Sequence, residues 1–122
     1  VYVAPGGMHM EVVKAHGNTH RIKLDDLPPI GGLRPCANIM FDSLAKTDYD
    51  EIICIVLTGM GADGTNGILS LNRTKPIHVI AQDAQTCVVY GMPRAIAEAG
   101  MVDEVVPLTA VAKTIIKNVG VK

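Results

Sequence analysis

From residue 51 onward two apolar patterns alternate along the chain. EIICIVLT (51–58) and PIHVIAQD (76–83) are nearly unbroken apolar runs rich in β-branched residues. Such runs predict strands covered on both faces, because a half-exposed strand would alternate with polar positions. Between them, residues 64–73 set Ile68, Leu69 and Leu71 among polar neighbours and predict a helix. Pro93 starts a second helix through Ala99, with Gly100 as its cap. DEVVP (103–107) reads as a short strand, and Thr109 as the N-cap of a last helix reaching about Ile116. The order β-α-β-α-β-α implies an α/β fold, a mostly parallel doubly wound sheet with helices on both faces.

The first fifty residues follow another rhythm. VYVA (1–4) is strand-like and stops at the turn cluster Pro5-Gly6-Gly7. MEVVKA and HRIKLDD flank His16-Gly17-Asn18-Thr19 and predict a β-hairpin, placed at one edge of the sheet, with the turn glycine supplying a positive φ. Asp26 to Gly32 is a loop. Residues 35–47 carry Ile39, Met40, Ser43, Leu44 and Thr47 at helical spacing, with Pro35 in the first turn. Residues 86–90 form a short apolar run, read as a short strand, closed by Gly91-Met92-Pro93. No internal repeat or low-complexity segment is present. The start in VYVA, without an initiator Met, reads as a fragment of something longer.

Composition narrows the function classes. The 122 residues fit one domain, and 48% apolar against 19% charged residues is a globular balance. Only Tyr2, Phe41, Tyr49 and Tyr90 are aromatic, so the core is built from aliphatic side chains and Met. A net charge of −1 with no basic cluster argues against nucleic acid or a membrane surface as partner. No run is long enough to insert in a membrane and no signal peptide is seen. Cys36, Cys54 and Cys87 lack CxxC spacing and read as reduced thiols of a cytoplasmic protein.

The candidate chemistry lies in LTGMGADGTNG (57–67), directly after the first buried strand. Gly59-Met60-Gly61-Ala62-Asp63-Gly64 fits G-x-G-x-x-G, and Asp83 lies at the end of the next strand, as in a dinucleotide fingerprint. In that nucleotide-binding alternative, however, Asp63 would meet the pyrophosphate with like charge at close range. A Walker loop is excluded by the lack of Gly-Lys-Ser/Thr. Asp63 fits better as a catalytic acid at the carboxyl end of a parallel strand, where it can orient a histidine while turn amides bind an oxyanion. The plainer role is a helix N-cap at the start of the helix that follows.

PPI-x-G-x-RP (28–35), IVLTGMGADGTNG (55–67), AQDAQTCVVYGMPRAI (81–96) and EAGMVDEVVPL (98–108), with VYVAPGG upstream, resemble the C-terminal part of the catalytic domain of the CheB family. These are the protein-glutamate methylesterases of bacterial chemotaxis, which in many cases also deamidate glutamine. The resemblance spans essentially the whole chain. It implies a serine hydrolase with a Ser-His-Asp triad, needing no cofactor and no metal. Its triad acid is Asp63, its oxyanion amide is that of Met60, and Gly59, Gly61 and Gly64 shape the turn. It implies as partners the methylated cytoplasmic helices of chemoreceptors and a phosphorylatable receiver domain of the full-length protein, within two-component signal transduction (a phosphorelay). The family's Gly-x-Ser-Thr-Gly-Gly nucleophile turn and Gln-His-Met-Pro-Pro segment have no counterpart here, so the chain is expected to be inactive alone. It also implies that the N-terminal strands of the domain are missing, and the sheet edge this exposes would allow a homodimer of the fragment. Asn38 stands where the family commonly has an aspartate, at a position expected to help shape the groove.

Other residues carry weaker signals. His9 is read as structural or groove-lining and not as a base. His16 and His20 flank the hairpin turn, with no carboxylate or Cys spaced for a metal. Cys36 falls at a helix N-terminus, where a thiolate is favoured, yet a buried thiol is the plainer expectation for all three cysteines. Arg94 sits in the first turn of a helix, against the dipole, and so calls for a fixed partner such as Asp63, Asp83 or a substrate carboxyl.

Overall fold

The computed structural model describes residues 1–120. In chain order the elements are β1 (His9–Lys14), β2 (His20–Asp25), α1 (Ala37–Leu44), β3 (Ile52–Val56), α2 (Thr65–Asn72), β4 (Ile77–Gln82), α3 (Gly91–Glu98), β5 (Glu104–Val106) and α4 (Val111–Val119). A 3-10 turn, Leu108–Ala110, leads into α4.

β3, β4 and β5 form a parallel sheet in that order, with Ile53 opposite His78, Ile55 opposite Ile80, and Ala81 opposite Val105. The period of two then decides what each face carries. Cys54 and Val56 of β3 and Val79 and Ala81 of β4 share one face. They pack with Phe41 and Leu44 of α1, Ile68 and Leu71 of α2 and Ile96 of α3 into the main core. Ile53, Ile55 and Ile80 point the other way. Ile80 is fully buried, and α4, which contacts β3, covers that face with Val111 and Thr114 inward. The unbroken apolar runs therefore mean what they predicted, a sheet sandwiched between helices.

The expected hairpin is present, with His9 opposite Asp25 and Lys14 opposite His20. It forms its own two-stranded sheet and packs against α1 instead of extending an edge of the parallel sheet. Val12 N–H donates to Ser43 Oγ of α1 at 3.0 Å, tying the two elements.

Four local expectations are corrected. VYVA forms no strand: Val1, Tyr2 and Val3 are exposed, and no described strand lies beside them to complete a ladder. α1 begins at Ala37, so Pro35 lies before it, and beyond Leu44 the chain continues only in i→i−3 turns to Thr47. Residues 86–90 form a loop with a single parallel bridge, Gly59 to Tyr90, because their hydrogen bonds go to the turn at 83–86 and to Thr58. Thr109 does not cap α4. It lies inside the 3-10 turn that Pro107 introduces, and Ala110 holds the N-cap position.

Candidate active site

Asp63 follows the carboxyl end of β3 by seven residues, yet its carboxylate is spent on an element far upstream. Oδ2 accepts from the Ala37 N–H at 2.7 Å, and Oδ1 accepts from the Asn38 N–H at 3.1 Å and the Cys36 thiol at 3.3 Å. These amides open α1, which has no cap from its own N-cap residue, Cys36. Asp63 thus caps α1 and not the helix it precedes. A carboxylate there meets both unpaired amides and the positive end of the helix.

The arrangement is reciprocal. α2 also lacks a cap of its own, its N-cap position being Gly64 with φ +98°. Asn38 supplies the acceptor: its Oδ1 takes the N–H of Gly64 at 2.9 Å and of Gly67 at 2.8 Å. Each helix start is therefore capped by a side chain from the other. The close approach requires Gly67, where a Cβ would lie 2.8 Å from Phe41 Cβ and 2.9 Å from Asn38 Cα. Asn38 holds the Asp63 turn in place, a role more specific than the groove-shaping expected of it.

The ionised carboxylate offers about four acceptor positions, two on each oxygen. Three are filled within the fold, two on Oδ1 and one on Oδ2. One on Oδ2 has no donor among the described residues. Asp63 is partly exposed, at the wall of a cavity of about 220 Å³ lined also by Ala4, Met10, Pro35, Cys36, Ala37 and Met40. A larger groove of about 430 Å³ runs between β1 and α1, but the lysines in it include Lys14, paired with Asp48, and Lys23, beside Glu11. Size alone does not select a site, whereas an oriented carboxylate does.

Burial pushes the Cys36 thiol above its ordinary pKa, and the hydrogen bond to Asp63 pushes it the same way. Cys36 is a buried proton donor to Asp63, so the thiolate that its helix position would favour is not the form present. Cys54 is buried in the core as expected, its thiol pushed up to about 11 by burial. Cys87 departs from expectation: it is only half-buried in the 83–90 loop, because no strand forms there to carry it inward.

On the other side of the glycine loop the chain is zipped to residues 89–92. Gly59 N–H donates to Val89 O, and Met92 N–H to Gly59 O, both at 2.9 Å. A Cβ on Gly91 would lie 2.7 Å from Gly59 O and 2.8 Å from Gly61 N, so only glycine permits this contact. Gly61, at φ +86°, turns the chain after Met60. Met60 itself projects outward with 85% of its surface exposed, and no described residue accepts from its N–H.

The remaining residues singled out in the sequence are drawn elsewhere. Asp83 Oδ1 accepts the N–H and hydroxyl of Thr86, which makes it the first residue of a capped turn and not an acid held for a ribose. His9 is 1% exposed and its Nε2–H donates to Pro28 O at 3.0 Å; it is a buried structural residue, with no surface left to line a groove. Arg94 pairs with Glu98 one turn along α3 at 2.9 Å, not with Asp63 or Asp83, so the partner its dipole misfit called for lies on its own helix. His20 stacks on Tyr49 and accepts the Asp48 N–H. No group of three metal-ligating side chains occurs among the described residues. Gln82, which sequence inspection passed over as one letter of an apolar run, is the only fully buried amide at this end of the sheet among the described residues.

An aspartate clamped beyond the carboxyl end of a parallel strand, in a doubly wound sheet, defines an α/β protein of the kind that places its chemistry at that edge. The family model described as CheB methylesterase matches residues 1–115, and the chain belongs to that family. It is 41% identical over 119 residues to a protein-glutamate methylesterase/protein-glutamine glutaminase of Geobacillus kaustophilus, covering 98% of this chain and 34% of the relative. It is 48% identical over 119 residues to the protein of that name from Clostridium acetobutylicum, covering 98% and 33%. The crystal structure of the Thermotoga maritima CheB methylesterase catalytic domain superposes with a TM-score of 0.86 at 35% identity, covering 95% of this chain and 60% of that one. The chain thus spans about a third of the length of these curated relatives.

Proposed function

We propose that this chain is the C-terminal portion of a methylesterase catalytic domain and supplies the acid and an oxyanion donor of a chemoreceptor protein-glutamate methylesterase. The observation that carries this is the single open acceptor position on Asp63 Oδ2, left by three donors that fix the carboxylate. An imidazole N–H donating there would be held in one tautomer, with its other nitrogen free to take a proton. That nitrogen accepts the proton of a serine hydroxyl as Oγ attacks the glutamyl methyl ester. The Met60 N–H, without an acceptor among the described residues, stabilises the oxyanion as it forms. Methanol leaves with the proton returned by the imidazole, and water then releases the carboxylate by the same steps. Glutamine side chains fit the same route with ammonia leaving.

The serine and histidine come from outside these 122 residues. Ser43 and Ser70 lie in α1 and α2, Ser43 Oγ donating to Met40 O. The chain alone therefore hydrolyses no ester. The partners follow from the reaction: methylated cytoplasmic receptor helices as substrate, and a receiver domain that gates access. Among the described residues no helix is long and apolar enough to cross a membrane, and the receptor helices it would act on are cytoplasmic. β3 has a free edge among the described residues, which would support pairing of two copies.

Methanol release from methylated receptor tests the proposal. The full-length protein should release methanol and lose nearly all of that activity on Asp63→Asn, while the 122-residue chain releases none. Activity of the isolated chain, or an Asp63→Asn protein as fast as the wild type, would overturn it.

A further inference from the structure

The strand end that presents Met60 is held by a hydrogen-bonded frame whose centre is Gln82. This side chain is 0% exposed and sits at the carboxyl end of β4. A buried primary amide is costly unless both its oxygen and its two hydrogens are paired. All three are. Oε1 accepts the Thr58 N–H at 2.8 Å, and Nε2 donates to Thr86 O at 2.9 Å and Thr86 Oγ1 at 3.2 Å. The Thr86 hydroxyl spends its own proton on Asp83 and accepts the Leu108 N–H, so the frame reaches the start of the 3-10 turn.

Thr58 carries the frame forward. Its hydroxyl donates to Val89 O at 3.0 Å and accepts the Val89 N–H at 2.9 Å, and the same Val89 O takes the Gly59 N–H. The N–H groups of Thr58 and Gly59 are thus both held and the Gly59 carbonyl accepts from Met92, whereas the next N–H, that of Met60, has no acceptor among the described residues. None of these contacts is needed to close the sheet, since the β3–β4 ladder ends at Val56 opposite Ala81. They fix where the chain goes after it leaves the sheet.

We propose that Gln82 and Thr58 are positioning residues of the reaction, which act by aiming the Met60 N–H at the developing oxyanion. This rests on the assignment of that amide given above. Gln82 is fully buried, and the Thr58 hydroxyl is spent on Val89. A donor displaced by about 1 Å loses up to roughly 100-fold in rate, and a single oxyanion donor is worth about 100- to 1,000-fold in kcat.

The test uses the full-length protein, with kcat and KM for methanol release and a thermal melt for each variant. Thr58→Val keeps the shape of an exposed side chain and removes only the hydroxyl. Gln82→Glu keeps the acceptor for Thr58 but turns an oxygen toward two Thr86 oxygens. Thr58→Ser restores the hydroxyl. Thr58→Val and Gln82→Glu should lower kcat by about 10- to 100-fold with KM within about twofold of the wild type, and Thr58→Ser should recover most of the rate. If Gln82→Glu does not fold, Thr58→Val and Thr58→Ser decide alone. A Thr58→Val protein with full kcat, or one that loses only stability or KM, overturns the inference while Asp63→Asn still abolishes turnover. Should Asp63→Asn itself leave turnover intact, the site assignment falls first and takes this inference with it.

Discussion

Removing the Asp63 carboxylate should cost this chain stability, because the oxygens proposed to orient a histidine also hold the start of α1. In Asp63→Ala the N–H groups of Ala37 and Asn38 and the Cys36 thiol lose their acceptor. A hydrogen bond to a charged acceptor is worth about 1.5–3 kcal/mol where water cannot replace it. Here the site is partly exposed, and truncation of an N-cap costs about 0.5–2 kcal/mol. The buried thiol adds a weaker loss, so the total is about 2–3 kcal/mol. Unfolding entropy near 2.1 cal/mol/K per residue, over 122 residues, gives a fall in Tm of roughly 8–12 °C. Asp63→Asn keeps one oxygen but aims an NH2 group at a donor, and should lose roughly half as much, about 4–6 °C. Differential scanning calorimetry at one pH reads both. If Asp63→Ala melts within about 2 °C of the wild type, the carboxylate is not capping α1 and the reciprocal junction is misjudged.

Gly67→Ala pushes a methyl group into Phe41 Cβ and the Asn38 backbone, 2.8 and 2.9 Å away, and should cost about 1–3 kcal/mol of overpacking in urea unfolding; an unchanged midpoint would refute the close approach of α1 and α2. Glu104 is drawn down to about 2 from 4.5, first by Lys117, then by His78 and Asn118. Since its folded value lies below the unfolded one, its contribution is present above about 4.5 and is lost as pH falls toward 2. Glu104→Gln should flatten the acid limb of Tm against pH over that window, and salt should do so in part because Lys117 is 67% exposed. Cys36 and Cys54 are buried with raised thiol pKa values and Cys87 is half-buried, so Ellman's reagent should meet one thiol in the native chain and three after unfolding. Equal native reactivity of Cys36 and Cys87 would contradict the bond to Asp63.

Much of the candidate site's placement was legible in the residues. A carboxylate in a glycine turn after a buried strand points to the carboxyl edge of the sheet, and Asp63, Met60 and Gly59 all lie there as read. What could not be read was the carboxylate's partners. Local rules assign an acid before a helix to that helix, but Asp63 serves α1, whose first amides lie 25 and 26 residues upstream. Asn38 likewise gave no capping signal, because the helix it caps is not its own. Gln82 was hidden for another reason. A polar residue at the end of an apolar strand looks like the point where burial stops, and only its hydrogen-bond partners reveal a buried amide.

Sequence alone determined the alternation of strands and helices, the two-faced burial of β3 and β4, and the glycine turn after β3. These follow from periodicity and turn chemistry, which act over a few residues. Resemblance to the CheB family was also legible, because spaced motifs survive as letters. Tertiary structure decided the rest: that the hairpin packs on α1, that VYVA stays without a partner, that His9 turns inward, and that Arg94 settles on Glu98. Each depends on which surfaces meet, and a one-dimensional pattern carries no information about meeting. The reciprocal caps of Asp63 and Asn38 are the clearest case, since two unremarkable helix starts become one rigid junction only once the core has brought them together.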